Sequence, residues 1–265
     1  MKIDQYHLSF IGFGHMAQII FTKIHAARLI PLSQTQFVQR DPDKSKRNEQ
    51  TYKMTATSLE HAASSSDVLL LCVRPNQLQA VLPRLAQVKN KMIISILAGV
   101  PISTLQASLD QSVQIARVMP NVASAVGEGV TTLSFSPDSS GEFRFLVEQL
   151  VAPLGHSIEL PETQMDIATA IAGSGPGFVF KLIQAMADAG VKEGLSLKQA
   201  LFMAAQTFLG AARLVMSKGE IDSLVQQIAT PGGVTEAGFL AMERLEIAKS
   251  FQQTIEVAKQ KAQSL

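Results

Sequence analysis

The chain contains no tryptophan, two tyrosines and a single cysteine in 265 residues. One cysteine allows no disulfide framework, so the fold must rest on its apolar core, and a reducing cytoplasmic setting is expected. That residue, Cys72, lies inside the apolar run VLLLCV, where it reads as a small packed hydrophobe. Neither sign of charge is in excess: 23 basic against 22 acidic residues leave a formal +1. This gives no electrostatic case for nucleic acid or an anionic membrane, and no basic stripe is interleaved with aromatics. No apolar run approaches the roughly 20 residues of a membrane span, and MKIDQYHLSF lacks the apolar core of a signal peptide. The five histidines include no pair at metal-ligand spacing, so no metal is expected. Internal repeats and low-complexity tracts are also lacking.

What remains is a chain with 46% hydrophobic residues, long enough for one large domain or two modest ones. It is organised around LSFIGFGHMA, Leu8 to Ala17, a short apolar strand that runs into a glycine-rich turn and a helix of about Met16 to Ala27. In this pattern Gly12 permits the tight turn, Gly14 lets a pyrophosphate approach the backbone, and Ala17 keeps the helix close to the sheet. The helix-start amides of His15, Met16 and Ala17 would hold the phosphates. TQFVQR reads as a second strand that ends where nucleotide folds recognise the ribose. Arg40, backed by Lys44, Lys46 and Arg47, suits the 2′-phosphate of NADP, and the following Asp41 leaves NAD possible.

Further strands are expected at Met54 to Thr57, SDVLLLCVRP, MIISIL, QIARVM, VTTLSF and HSIEL, with polar or helical stretches between them. The alternation predicts an α/β fold: a Rossmann-like, doubly wound, mainly parallel sheet over residues 1–160. Ligands of such sheets bind beyond the carboxyl ends of the strands, which places Val73 to Asn76, Ala98 to Val100 and Met119 to Val122 around one crevice. From residue 161 to 265 the chain reads as a second, all-helical domain. Its segment Ala200 to Met216 is apolar or small on most faces, too apolar for a domain of this size to bury alone, so a homodimer is expected.

FIGFGHMA, VRPNQ, SILAGV, RVMPN with VGEG, AGSGPGFVF with DAGVKEGL, and PGGVTEAG stand in the order and approximate spacing of one family. The chain resembles pyrroline-5-carboxylate reductase over nearly its whole length. The resemblance implies an oxidoreductase that reduces the cyclic imine 1-pyrroline-5-carboxylate to L-proline, the last step of proline biosynthesis, with NADPH or NADH. It also implies interlocked helical dimers that can assemble into larger rings such as a decamer, with the substrate between the two kinds of domain. Val73, Arg74, Pro75, Ala98 and Asn121 match nicotinamide-side positions, and Ser174 and Gly175 match the turn into the long substrate-domain helix. Thr230 or a neighbour can cap a helix that starts just after Gly233, leaving the amides of Gly232, Gly233 and Val234 to hold the ring carboxylate. Thr235 matches the threonine near the imine nitrogen and is the catalytic candidate.

The chain departs from the family's common residues at several of these places. Arg74 stands where lysine is usual, Val122-Ala123 for threonine-proline, Gly177-Phe178 for alanine-tyrosine, and Val234 for threonine. Glu236 adds a carboxylate beside the expected carboxylate site. Two other readings follow from the residues. Gly175, Gly177 and Lys181 echo the GxGxxxK helix of β-hydroxyacid dehydrogenases, in which Lys181 would act as acid/base, although Ala185 replaces that family's asparagine. The departures also suit an NADP-binding paralogue without turnover.

Overall fold

The computed structural model describes residues 2–265. Eight strands form one sheet: β1 (Leu8–Ile11), β2 (Thr35–Val38), β3 (Thr55–Ala56), β4 (Val68–Leu71), β5 (Met92–Ser95), β6 (Gln114–Met119), β7 (Gly129–Phe135) and β8 (Gly155–Glu159). Their order is β3-β2-β1-β4-β5-β6-β7-β8, and every pair is parallel except β6 with β7. That exception follows from chain length: between Met119 and Gly129 there is room only for a tight turn at Val122–Val126, whereas a parallel crossover needs a dozen residues or more. Helices α1 (His15–Ala26), α2 (Pro42–Tyr52), α3 (Leu59–Ser65), α4 (Leu78–Leu85), α5 (Ile102–Gln106) and α6 (Gly141–Val151) lie between the strands. The expected doubly wound, mainly parallel sheet is present, with a strand in each segment where one was expected.

The inner strands β1, β4, β5 and β6 are buried on both faces, whereas β8 at the sheet edge is largely exposed. Along β4, Val68 and Leu70 join one core while Leu69 and Leu71 join the other, the period of two that explains why its sequence is an unbroken apolar run. The first core is built on phenylalanines. Phe13 packs 5.5 Å from Phe10, 4.8 Å from Phe37 and 5.9 Å from Phe21, centroid to centroid, so the glycine turn that carries Phe13 is anchored directly in the core.

The chain packs as two units, one running to Ser174 and including Ala258–Leu265, the other Gly175–Val257. The sheet unit thus extends past residue 160, where the sequence places the boundary, because the segment after β8 stays attached to it. Arg117 on β6, 3% exposed, reaches Asp166 at 2.8 Å and Glu162 at 3.6 Å, and Glu162 also accepts the Ile102 N–H at 2.6 Å. Beyond α7 (Met165–Ala168) the chain makes a π-helical turn, Thr169–Gly173. The C-terminus closes on the same unit: a Cβ added to Gly99, which has φ +70°, would come within 2.6 Å of the Ala262 carbonyl and of Leu265.

The second unit is helical, with α8 (Gly175–Lys192), α9 (Leu197–Lys218), α10 (Ile221–Ile228), α11 (Val234–Arg244) and the start of α12 (Ile247–Gln263). Ser196 and Gln199 form a capping box at the head of α9, and Gly219 ends it in a left-handed turn. The core here is small, Ala187 with Ala200 and Ala204, while Phe202, Met216 and Leu240 are 69%, 74% and 62% exposed. By length and composition α9 is apolar enough to cross a membrane. Each large side chain left in water forgoes about 1.5–3 kcal/mol, so this unit requires an apolar partner surface.

Two outcomes are expected. Light scattering at micromolar concentration should give a dimer as the smallest folded species, and a monomer with a normal melting transition would show that the apolar faces need no partner. Asp166→Asn should lower stability by about 1–3 kcal/mol, because it weakens the main partner of the buried Arg117. An unchanged denaturation midpoint would mean that this ion pair does not anchor the segment.

Candidate functional site

The glycine turn is fixed from two sides. Gly12 donates its N–H to the Val38 carbonyl at 3.0 Å, and the Cys72 N–H donates to the Ile11 carbonyl at 2.8 Å, tying the ends of β2, β1 and β4 together. Gly12 has φ +91°, and a Cβ there would lie 3.0 Å from the Cys72 carbonyl and from Val73, so no other residue fits without displacing backbone. Gly14 is the N-cap of α1 and offers no side-chain cap; a Cβ on it would meet nothing within 4 Å. The first-turn amides of His15, Met16 and Ala17 have no intrahelical acceptor and are covered by no capping side chain, an arrangement suited to a phosphate. Ala17 itself is buried against the sheet, as its place in the motif predicts.

Beside this turn lies a cavity of about 320 Å³, bounded by Gly12, by Gln39 and Arg40 after β2, by the turn Thr57 to Leu59, and by Val73 and one face of α4. Arg40 is exposed at its rim. Asp41 is differently employed: its carboxylate caps α2, accepting the N–H groups of Asp43 and Lys44 at 3.1 Å each, and the Lys44 bond foremost holds its carboxyl below the usual range. The acid that could bind a ribose diol is therefore engaged at a helix start, leaving Arg40 as the charged group that follows β2 at the cavity. The lining residues Gln39, Thr57, Ser58, Gln77, Ala80, Val81 and Arg84 escaped sequence reasoning. Spacing alone could have suggested the last four, which recur at i, i+3, i+4 and i+7.

The loops after β4, β5 and β6 leave the same end of three adjacent parallel strands. After Val73 and Arg74, Pro75 opens a tight turn into α4, and the Arg74 N–H is held by the Gln77 side chain at 3.0 Å. Ala98 is half-buried beyond β5. Asn121, 6% exposed, is committed at both ends: its Nδ2 donates to the Ala172 carbonyl at 2.9 Å, and its Oδ1 accepts the Ala123 N–H at 3.1 Å. The π-helical turn directs the Ala172 carbonyl to this bond. Burial pushes the Cys72 thiol up, away from the thiolate form.

In the helical unit, α11 begins at Val234 with Gly233 as its N-cap. Thr230 does not cap it through its hydroxyl. Instead the Thr230 carbonyl accepts the Gly233 N–H at 2.8 Å, closing the turn. The Gly232 N–H, at φ +74°, donates to Glu236 Oε2 at 2.6 Å. Of the three amides expected to stand free, two are thus engaged, and that of Val234 is left as a first-turn amide with no intrahelical acceptor. Thr235 sits in the same turn, half-buried. Ser174 closes the sheet unit, its N–H bonded to the Thr169 carbonyl at 2.9 Å, and Gly175 opens α8. Lys181 on α8 is exposed and donates to Gln184 at 3.2 Å. Among the described residues no group of three or more His, Cys, Asp or Glu could hold a metal.

Residues 162–265 match the model for pyrroline-5-carboxylate reductase dimerisation, and residues 7–99 match that for NADP oxidoreductase, coenzyme F420-dependent. The reductase of Schizosaccharomyces pombe is 38% identical over 215 residues, 80% of this chain and 76% of that protein. The Aquifex aeolicus reductase is 36% identical over 96% of both chains. The chain belongs to the pyrroline-5-carboxylate reductase family. The reductase of Plasmodium falciparum, solved with NADP bound, superposes with a TM-score of 0.91 at 27% identity, covering 99% of this chain and 98% of that one. The dimerisation match spans the helices of this reductase whose apolar faces lie open, so self-association accounts for a surface that composition alone would also offer to a bilayer.

If Arg40 pairs with a 2′-phosphate, Arg40→Ser in this reductase should weaken NADPH binding by about 1.5–3 kcal/mol, roughly 10- to 150-fold, and leave NADH nearly unchanged. Equal losses for the two cofactors, measured by titration, would refute that role.

Proposed function

We propose that this enzyme reduces 1-pyrroline-5-carboxylate to L-proline with NADPH, as the last step of proline biosynthesis. The observation that carries the reading is a family relationship extending over nearly the whole chain, including both the glycine-turn cavity and the PGG turn. The cavity fits an NADP-type nucleotide: Gly12 lets a ligand reach the backbone, the head of α1 is uncapped, and Arg40 stands beyond β2 while Asp41 is engaged elsewhere. The amides of His15, Met16 and Ala17 hold the pyrophosphate, and Val73, Arg74, Pro75, Ala98 and Asn121 bound the nicotinamide end. When bound, the reduced nicotinamide supplies a hydride.

The remaining work falls to the helical unit. A protonated C=N bond is already electrophilic, so the residues need only orient the ring and accommodate the nitrogen as it becomes an amine. The head of α11 binds the ring carboxylate through the Val234 amide, joined by that of Gly232 once Glu236 gives way. Replacing threonine by Val234 removes a hydroxyl and leaves this amide in place. Ser174 and Gly175 shape the approach, and the Thr235 hydroxyl hydrogen-bonds to the nitrogen. NADH serves less well, for want of a group for Arg40. The protein works as a cytoplasmic homodimer that can assemble into a larger ring such as a decamer, and it binds neither nucleic acid nor membrane.

A hydroxyacid dehydrogenase would need Lys181 as an acid/base, yet this lysine is exposed and paired with Gln184. Thr235→Val should lower turnover about 5- to 150-fold, or 1–3 kcal/mol, whereas Lys181→Met should change it less than about threefold. Steady-state oxidation of NADPH with 1-pyrroline-5-carboxylate is the measurement. A near-dead Lys181→Met beside an active Thr235→Val would transfer the chemistry to the lysine, and a wild type that binds NADPH but reduces no imine would mark a non-catalytic paralogue.

A further inference from the structure

The cavity beside the glycine turn has a second cation. Gln77 at the head of α4 and Ala80, Val81 and Arg84 within it line the cavity along a single face. Strands β2 and β4 flank β1 on opposite sides, so Arg40, following β2, and Arg84, on the helix following β4, approach the cavity from opposite directions. The walls between them mix the apolar Val38, Leu59 and Val81 with the polar, uncharged Gln39, Thr57, Ser58 and Gln77, a lining without a further charge that suits an uncharged heteroaromatic ring better than a second phosphate.

Arg84 is not loose at this position. Its Nε and Nη2 both donate to one oxygen of Glu60 on α3, at 2.8 and 2.5 Å, which fixes the plane of the guanidinium. The two side chains are 51% and 63% exposed, and an ion pair so wet adds little to folding. A fixed planar cation at the edge of a partly apolar pocket is well suited to lie against the π face of a heteroaromatic base.

Resting on the reading of this cavity as the NADPH site, we propose that Arg84, held in plane by Glu60, forms the adenine-side wall of the cofactor pocket and stacks on the base. Arg40 reads the 2′-phosphate at the opposite end. The two arginines therefore divide the work: Arg84 contributes to any adenine nucleotide, and Arg40 only to the phosphorylated one.

Dissociation constants of the full-length protein for NADPH, NADH, 5′-AMP and nicotinamide mononucleotide test this division. Arg84→Ala should raise the constants for NADPH, NADH and AMP by a common factor of about three to ten and leave nicotinamide mononucleotide unchanged. Glu60→Gln, which slackens the tether and spares the guanidinium, should move the same three ligands in the same direction by a smaller factor. A loss confined to NADPH would overturn the proposal in favour of a second phosphate contact, and no loss with any ligand would reduce the pair to a surface ion pair. Ala80→Trp on the same face of α4 separates the underlying reading. If filling the slot leaves NADPH and NADH binding intact in a folded protein, the cofactor lies elsewhere, and the cavity assignment falls together with the role of Arg84.

Discussion

The sheet unit depends on a close approach of backbone at Gly12. Hydrogen bonds from its N–H to Val38 and from Cys72 to Ile11 draw three strand ends together, and the space left over does not admit a Cβ. Phe13, the next residue, is locked among Phe10, Phe21 and Phe37. The turn is thus held both by hydrogen bonds at its surface and by aromatic packing beneath it. Helix α1 can start without a capping side chain because the strand behind it is already fixed, and those uncapped amides leave the turn suited to a phosphate.

A second constraint acts at the other side of the sheet. Arg117 is almost wholly buried in β6, and a buried guanidinium left without carboxylates would be costly. Asp166 and Glu162 come from the segment that follows the last strand, so satisfying the charge also docks that segment. Its π-helical turn then presents the Ala172 carbonyl to Asn121, fixing the loop after β6. The loop beyond β5 is fixed differently, by the C-terminal residues packed on Gly99. Long-range contacts of two kinds therefore rigidify the loops around the crevice that the strand ends define.

The helical unit is governed by a shortage. Its internal core consists of three alanines with little else, and most of its large apolar side chains face outward. Small residues let α8 and α9 approach closely, but close approach buries little area, so the larger side chains must find their partner on another chain. At the head of α11, the Glu236 carboxylate already occupies the Gly232 amide. A carboxylate ligand there would meet a like charge unless Glu236 swings away, so the affinity of this turn for an acid is set by the chain's own side chain as much as by the helix.

Sequence by itself determined the strands, their mainly parallel arrangement, the helical second half and the glycine turn, since each rests on local periodicity or on a backbone requirement that only glycine meets. It also determined the family, through motifs spread along the whole chain. The structure decided which polar groups are already engaged, through bonds of two to four residues' span that compete with the roles the motifs suggest. Asp41 looked free to bind a ribose and is a helix cap; Thr230 or a neighbour was expected to cap α11, and Gly233 takes that place while Thr230 contributes a carbonyl; Gly232 and Gly233 looked available and are bonded within the chain. It also decided that the segment after residue 160 stays with the sheet, through Arg117, and that α4 supplies a wall of the cavity. The reason is physical: periodicity, backbone conformation and caps are written in neighbouring residues, whereas the Asp166 partner of Arg117 lies 49 residues further along and is chosen among all groups that folding brings within about 3 Å, a choice no local pattern encodes.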